Sequence, residues 1–143
     1  MIVFIGCGKN KNNIVCQAQY MYRGNYYSAC LGYAKTLTTP DKIYILSAKY
    51  GVLHLTDTIA PYNKTLNEAT KEEYKQWKEM VLQQLQQLGI TGKEEVTMLC
   101  GKNYYKELLD YFSNINLPLE QFKGMGYQIS FMKHNTKSKN RLF

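Results

Sequence analysis

The first eleven residues, Met1–Lys11, read MIVFIGCGKNK. Ile2 to Ile5 is an apolar run of the kind that forms a buried strand. It stops at Gly6-Cys7-Gly8, and Lys9 and Lys11 follow. Glycine lets backbone N–H groups approach an anion closely, so a strand that leaves through glycines into cations suits a phosphate. The same residues also suit a polar turn after an edge strand, with both lysines in water. The loop G-x-x-x-x-G-K-[ST] is absent, and Gly6-x-Gly8 lacks the third glycine of the dinucleotide pattern.

Outward from this stretch, strand-like and helix-like patterns alternate. Ile43–Leu46 and Val96–Leu99 are short, β-prone and bounded by turn residues. Between the first two strands the spacing predicts a helix near Tyr26–Leu37, with Cys30, Leu31, Ala34 and Leu37 on one face. The segment from Thr70 to Gly89, TKEEYKQWKEMVLQQLQQLG, carries the strongest helix signals. Thr70 and Glu73 form a capping box, Tyr74, Trp77, Val81, Leu85 and Leu88 form the apolar stripe, and Gly89 ends it. Further helices are predicted from Asn103 to Phe112 and from Tyr127 to His134. This alternation predicts an α/β fold: a single compact domain over residues 1–143, with a short, mainly parallel sheet flanked by helices.

In open α/β sheets, ligands bind at the carboxyl ends of the strands. Three strand exits are readable: Gly6-Cys7-Gly8-Lys9, Ser47-Ala48-Lys49-Tyr50-Gly51 and Cys100-Gly101-Lys102. Each pairs small residues with a lysine. They are expected to build one anion-binding cleft in which Lys9, Lys49 and Lys102 converge; three unrelated solvated turns is the alternative.

Composition points the same way. With 143 residues and 45% hydrophobic content the chain can bury one core. No apolar run approaches the ~20 residues of a membrane span, and Met1–Ile5 is too short for the apolar region of a signal peptide. Cys7, Cys16, Cys30 and Cys100 show neither a C-x-x-C pair nor zinc-like spacing. A reduced, cytoplasmic protein is expected, with no metal, no cofactor and no membrane partner. Net charge is +7, and all 11 acids lie between Asp41 and Glu120. Residues 1–40 carry Lys9, Lys11, Arg23 and Lys35, and residues 121–143 carry Lys123, Lys133, Lys137, Lys139 and Arg141, without one acid. Basic ends that meet in space suit a polyanion, and the 13 tyrosines suit its bases. The expected partner is a nucleic acid, DNA rather than RNA, or a nucleotide. Oligomeric state stays open.

The segment from Leu46 to Leu66, LSAKYGVLHLTDTIAPYNKTL, shows no regular period and reads as a long structured loop, the kind that is usually functional. Asp57 is the only acid between Asp41 and Glu68 and sits among Leu53, Leu55 and Ile59. A carboxylate in apolar surroundings either caps a turn or pairs with a lysine, or it serves a site. Pro61-Tyr62 then fixes the backbone and presents a ring.

Four blocks, MIVFIGCGK, LSAKYGVLHLTDTIAPY, MLCGKNYYKEL and ISFMKHNTKSKNRLF, resemble in order those of the peroxide-stress protein YaaA family. They are more similar still to a family of short uncharacterised domains of bacterial and phage genomes. The resemblance places Lys9, Ser47, Tyr50, Gly51, Asp57, Pro61, Tyr62 and Tyr104 on family positions. It implies a DNA-binding protein with a basic cleft of DNA glycosylase character. YaaA proteins are considerably longer and carry a helix-hairpin-helix-like element for which this chain has no room.

The expected activity is therefore a nucleobase N-glycosidase that releases a modified or damaged base. Losing the base builds positive charge on the sugar, which a carboxylate can stabilise while activating water; Asp57 is the candidate. Lysines at the strand exits would hold phosphates, and Tyr50 or Tyr62 would stack on an extruded base. Lys49 or Lys9 could instead attack the sugar as an amine. The alternative is a non-catalytic DNA-binding or nucleotide-sensing module. A phosphotransferase or nuclease is disfavoured, because clustered carboxylates for Mg²⁺ are missing from the strand exits.

Overall fold

In the computed structural model, which describes residues 1–141 and side chains as far as residue 137, side chains alternate across the first strand, β1 (Ile2–Gly6). Val3 and Ile5 enter one core and Phe4 the other, as the period of two dictates. Short elements follow: β2 (Asn10–Lys11), β3 (Cys16–Gln17), α1 (Ala18–Met21) and β4 (Tyr22–Arg23). The helix α2 (Asn25–Leu37) leads into β5 (Ile43–Ser47), β6 (Gly51–His54) and β7 (Thr58–Ile59). Then come α3 (Lys71–Gln87), β8 (Glu95–Leu99), α4 (Lys102–Tyr105), β9 (Asn114–Asn116) and α5 (Met125–Arg141).

The central sheet runs β6-β5-β1-β8-β9. β5 and β8 flank β1 in parallel, β9 continues the parallel set, and β6 folds back antiparallel on β5. Both faces are covered, which is why β5 is buried at all five positions. On one face α2 and α5 supply Ala29, Cys30, Ala34 and Met132 against Val3, Ile5, Ile43 and Ile45. On the other, Trp77, Val81 and Leu85 of α3, with Tyr104, Leu108 and Phe112, cover Phe4, Leu46 and Met98. The architecture is the expected α/β one, with a mainly parallel sheet flanked by helices.

Three local expectations are corrected. The segment 46–66 is not one loop, because Val52, Leu53, Leu55 and Ile59 find core partners and fold it into β6 and β7. Asn103–Phe112 is not one helix: α4 gives way to a 3-10 turn at Lys106–Leu108, as Tyr104, Tyr105, Leu108 and Phe112 each seat in the core. The C-terminal helix begins at Met125 and runs to Arg141, well past His134, with polar residues on its outer face. The four-residue capping box at Thr70 and Glu73 forms as the sequence dictates.

Gln84 clamps the hairpin to α3. Its Oε1 accepts the Val52 N–H at 2.7 Å and its Nε2 donates to the Tyr50 carbonyl at 2.9 Å. Gly51 between them has φ +74°, and a Cβ there would strike the Gln84 amide. Gln84→Leu is therefore expected to cost about 1–3 kcal/mol, the penalty of leaving a buried N–H unpaired. The check is the urea unfolding midpoint, and an unchanged midpoint would mean water replaces the amide freely.

Candidate functional site

β1 lies where the chain changes direction. The connection from β1 runs through α2 on one face, and the connection from β8 runs through α4 on the other. Adjacent parallel strands whose connections diverge leave a crevice at their carboxyl ends. The registers Gly6↔Leu46 and Ile5↔Leu99 put the three strand exits side by side on this edge.

A cleft of about 300 Å³ opens there. Cys7, Gly8, Lys9 and Lys11 form one wall, and Asn63, Lys64, Thr65, Asn67 and Glu68 form the other, with Tyr104 between them. Three ammonium groups thus face one carboxylate, so the cleft is net positive. The Lys11 Nζ donates to the Lys9 carbonyl at 3.3 Å and stands 4.6 Å above the Tyr62 ring, a cation–π contact. The second wall is held by a 3-10 turn, Leu66–Glu68, whose Asn67 N–H donates to the Thr65 hydroxyl. The Asn103 amide donates to Asn67 Oδ1 at 2.7 Å and ties this turn to α4.

Behind the cleft lies a buried hydroxyl relay. Ser47, fully buried, accepts the N–H groups of Lys49 and Tyr50 and donates to the Tyr62 hydroxyl at 2.9 Å. Tyr62 in turn shares a 2.8 Å hydrogen bond with the Tyr22 hydroxyl. The Tyr104 hydroxyl accepts from the Cys7 thiol at 3.4 Å and from the Leu66 N–H. Burial pushes the Tyr22 phenol up to about 12. Burial also raises Tyr62 and Tyr104 above the usual phenol range, with the nearby Cys7 thiol adding to both. These hydroxyls therefore stay protonated at neutral pH.

The predicted residues divide into three groups. Cys7, Gly8, Lys9, Lys11 and Tyr104 line the cleft. Ser47, Tyr50 and Tyr62 form the support behind it, and the Tyr50 and Tyr62 rings meet edge to face at 5.6 Å. Gly6 packs against Cys100, where a Cβ would approach its side chain to 3.0 Å, and Gly51 serves the hairpin. Lys49 lies 5.2 Å above the Tyr50 ring, and Lys102 lines a separate depression with Cys100, Tyr105 and Gln128, so neither joins the cleft wall. Asp57 closes the turn between β6 and β7, its carboxylate accepting the His54 N–H at 2.8 Å.

Sequence reasoning missed Asn63, Lys64, Thr65, Asn67 and Glu68. The polar run after Pro61-Tyr62 was the available signal, a dense set of side-chain donors and acceptors just ahead of a helix cap. Lys139 and Arg141, part of the basic C-terminal stretch, lie outside the residues whose side chains are described. All four cysteines are free thiols, and among the described residues no three potential metal ligands gather. No described helix is long and apolar enough to cross a membrane.

Buried phenols set the alkaline limit of stability, those of the relay together with Tyr26 and Tyr27. Unfolded tyrosines ionise near 10, whereas Tyr22 holds its proton to about 12 in the fold. The unfolded chain loses protons first in that interval, so stability is complete below about pH 10 and falls as pH rises further. Urea midpoints measured from neutral pH upward should stay level and then decline; a level profile to pH 12 would remove the relay from the account.

The chain is similar to the uncharacterized protein YfjM of Bacillus subtilis (strain 168), with 29% identity over 150 residues. That match covers 99% of this chain and 98% of YfjM. The profile of a family of unknown function, DUF6884, matches residues 2–134, and the chain belongs to that family.

Proposed function

We propose that the cleft binds a nucleotide unit of DNA and that the protein is a nucleobase N-glycosidase releasing a modified or damaged base. The observation that carries this reading is the meeting of Lys9, Lys11 and Lys64 with a single carboxylate, Glu68, at the carboxyl edge of a parallel sheet. The lysines suit phosphate oxygens, and the Gly8 backbone lets an anion come close. Asn63 offers an amide that can donate to and accept from a base edge. The resemblance of four sequence blocks to the YaaA family supports the same substrate class.

In this reading the reacting carboxylate is Glu68, since the Asp57 carboxylate already accepts the His54 N–H. Water attacks the sugar C1′ as the bond to the base nitrogen breaks. Glu68 takes a proton from that water and balances the positive charge developing on the sugar. The departing base gains a proton, so the products are the free base and a sugar hydroxyl. Tyr104, which lines the cleft, would donate a hydrogen bond to the leaving base. The Lys49 ammonium lies over the Tyr50 ring outside the cleft wall, so an amine route would fall to Lys9, which lines the cleft.

A non-catalytic DNA-binding or nucleotide-sensing module is the second reading, favoured by the solvent exposure of Glu68. The experiment is to incubate the protein with DNA carrying modified bases and to quantify released base and bound DNA. Glu68→Gln is expected to lower base release about 10²-fold or more, the usual scale for a general base, without weakening DNA binding. Lys9→Ala should weaken binding more than it slows bound substrate. Asp57→Asn should lower stability and leave base release per folded molecule unchanged. Binding without any base release would establish the second reading.

A further inference from the structure

A second basic concavity begins where the cleft ends. A groove of about 420 Å³ at the start of α3 is lined by Lys71, Tyr74, Lys75, Lys78, Lys106 and Glu107. Lys78 is paired with Glu107 at 3.6 Å, the one ion pair among the described residues. Lys71, Lys75 and Lys106 are exposed and carry no such partner. Glu73, in the first turn of α3, is turned back onto the Thr70 N–H in the capping box. The groove therefore has an excess of free positive charge on the 17-residue helix α3.

The groove wall also holds an under-satisfied group. The Tyr74 hydroxyl is the single buried side-chain polar atom among the described residues that has no hydrogen-bond partner, and Tyr74 lines this groove. Its ring packs edge to face on Trp77 at 6.0 Å and carries the Lys106 ammonium 4.9 Å above it, which fixes its direction. Buried hydroxyls without partners are rare in native proteins and call for an explanation. This one is closed to solvent, so it marks an under-satisfied wall of the groove and not a contact for its ligand.

The groove is continuous with the cleft. Glu68 lines the cleft and Ala69 lines the groove, so one peptide bond separates their rims. Cleft and groove together present Lys9, Lys11 and Lys64 followed by Lys71, Lys75 and Lys106 on a shared edge. A mononucleotide in the cleft leaves the second set unused, whereas a strand carries phosphates at regular intervals to both. Resting on the nucleotide-binding reading of the cleft, we propose that the groove is a phosphate-binding track for the strand flanking the bound nucleotide. The ligand is then a nucleic-acid strand several nucleotides long, not a free nucleotide.

The test measures binding of a labelled single-stranded DNA of about 12 nucleotides, within the span of single-strand sites, and of a nucleoside monophosphate. Wild type is compared with K71Q/K75Q/K106Q and with Tyr74→Phe, each checked for an unchanged melting temperature. The oligonucleotide should bind at least tenfold more tightly than the monophosphate. The triple variant should lower the slope of log K against log salt by about 2, the release expected for three single-strand phosphate contacts. Its affinity for the monophosphate should be unchanged, as should both affinities in Tyr74→Phe, whose lost hydroxyl is closed off from the groove. An oligonucleotide slope equal to wild type in the triple variant, or an oligonucleotide no tighter than the monophosphate, would overturn the track and leave the cleft reading standing. Failure of both ligands to bind wild type would overturn cleft and track together.

Discussion

Everything around the cleft hangs on Ser47. It ends β5 in complete burial, and a buried hydroxyl must be paired on every side. Its oxygen closes the turn into β6 by accepting two N–H groups, and its proton goes to Tyr62. Its carbonyl accepts the Trp77 indole N–H at 2.9 Å, which docks α3 against the strand end. One residue thereby fixes the hairpin, the entry to the second cleft wall and the helix that carries the groove. Replacing it with alanine would strand the Lys49 and Tyr50 N–H groups and take from Tyr62 the proton it accepts, while the Trp77 bond to the backbone carbonyl would remain.

The relay also explains why the tyrosines flanking the cleft are poor stacking platforms. Tyr62 spends its hydroxyl on Ser47 and Tyr22, one face on Lys11, and its flank on Tyr50. Tyr50 is similarly held by Ala60 and by Lys49. These rings set the rigidity of the wall and leave lysines, asparagines and Tyr104 to line the cleft. Rigid walls bearing long, mobile cations suit an anion whose position is set by charge before shape.

Periodicity made β1, β5, β8 and the two long central helices readable, because each buries a face whose spacing matches its element. β9 escaped because Asn114-Ile115-Asn116 is polar at its outer positions and too short to show a period. β6 escaped because Val52 and Leu53 are both buried, one in each core, so strand alternation does not appear as polar against apolar. At the site, the glycine-lysine exit of β1 was legible and led to the cleft. The far wall, Glu68 included, was not, since an acid ahead of a helix cap looks like any solvated acid until a basic wall is folded opposite it. Asp57 stands apart from that cleft, its apolar neighbours in sequence belonging to the turn whose N–H its carboxylate caps.

The central position of β1 has a cost during synthesis. Its pairing with β8 joins Ile2 to Val96, so β1 leaves the ribosome long before β8 and waits with its second edge uncovered. Until then Val3, Phe4 and Ile5 stand in an unpaired, strongly apolar strand, the kind of edge that recruits other strands. Long-range parallel pairing of this sort folds slowly and leaves nascent chains open to self-association. Yield in a host thus depends on how quickly translation reaches residue 99 relative to capture of that edge, and a holdase on this strand, or fewer copies made at once, shifts the balance toward folded protein.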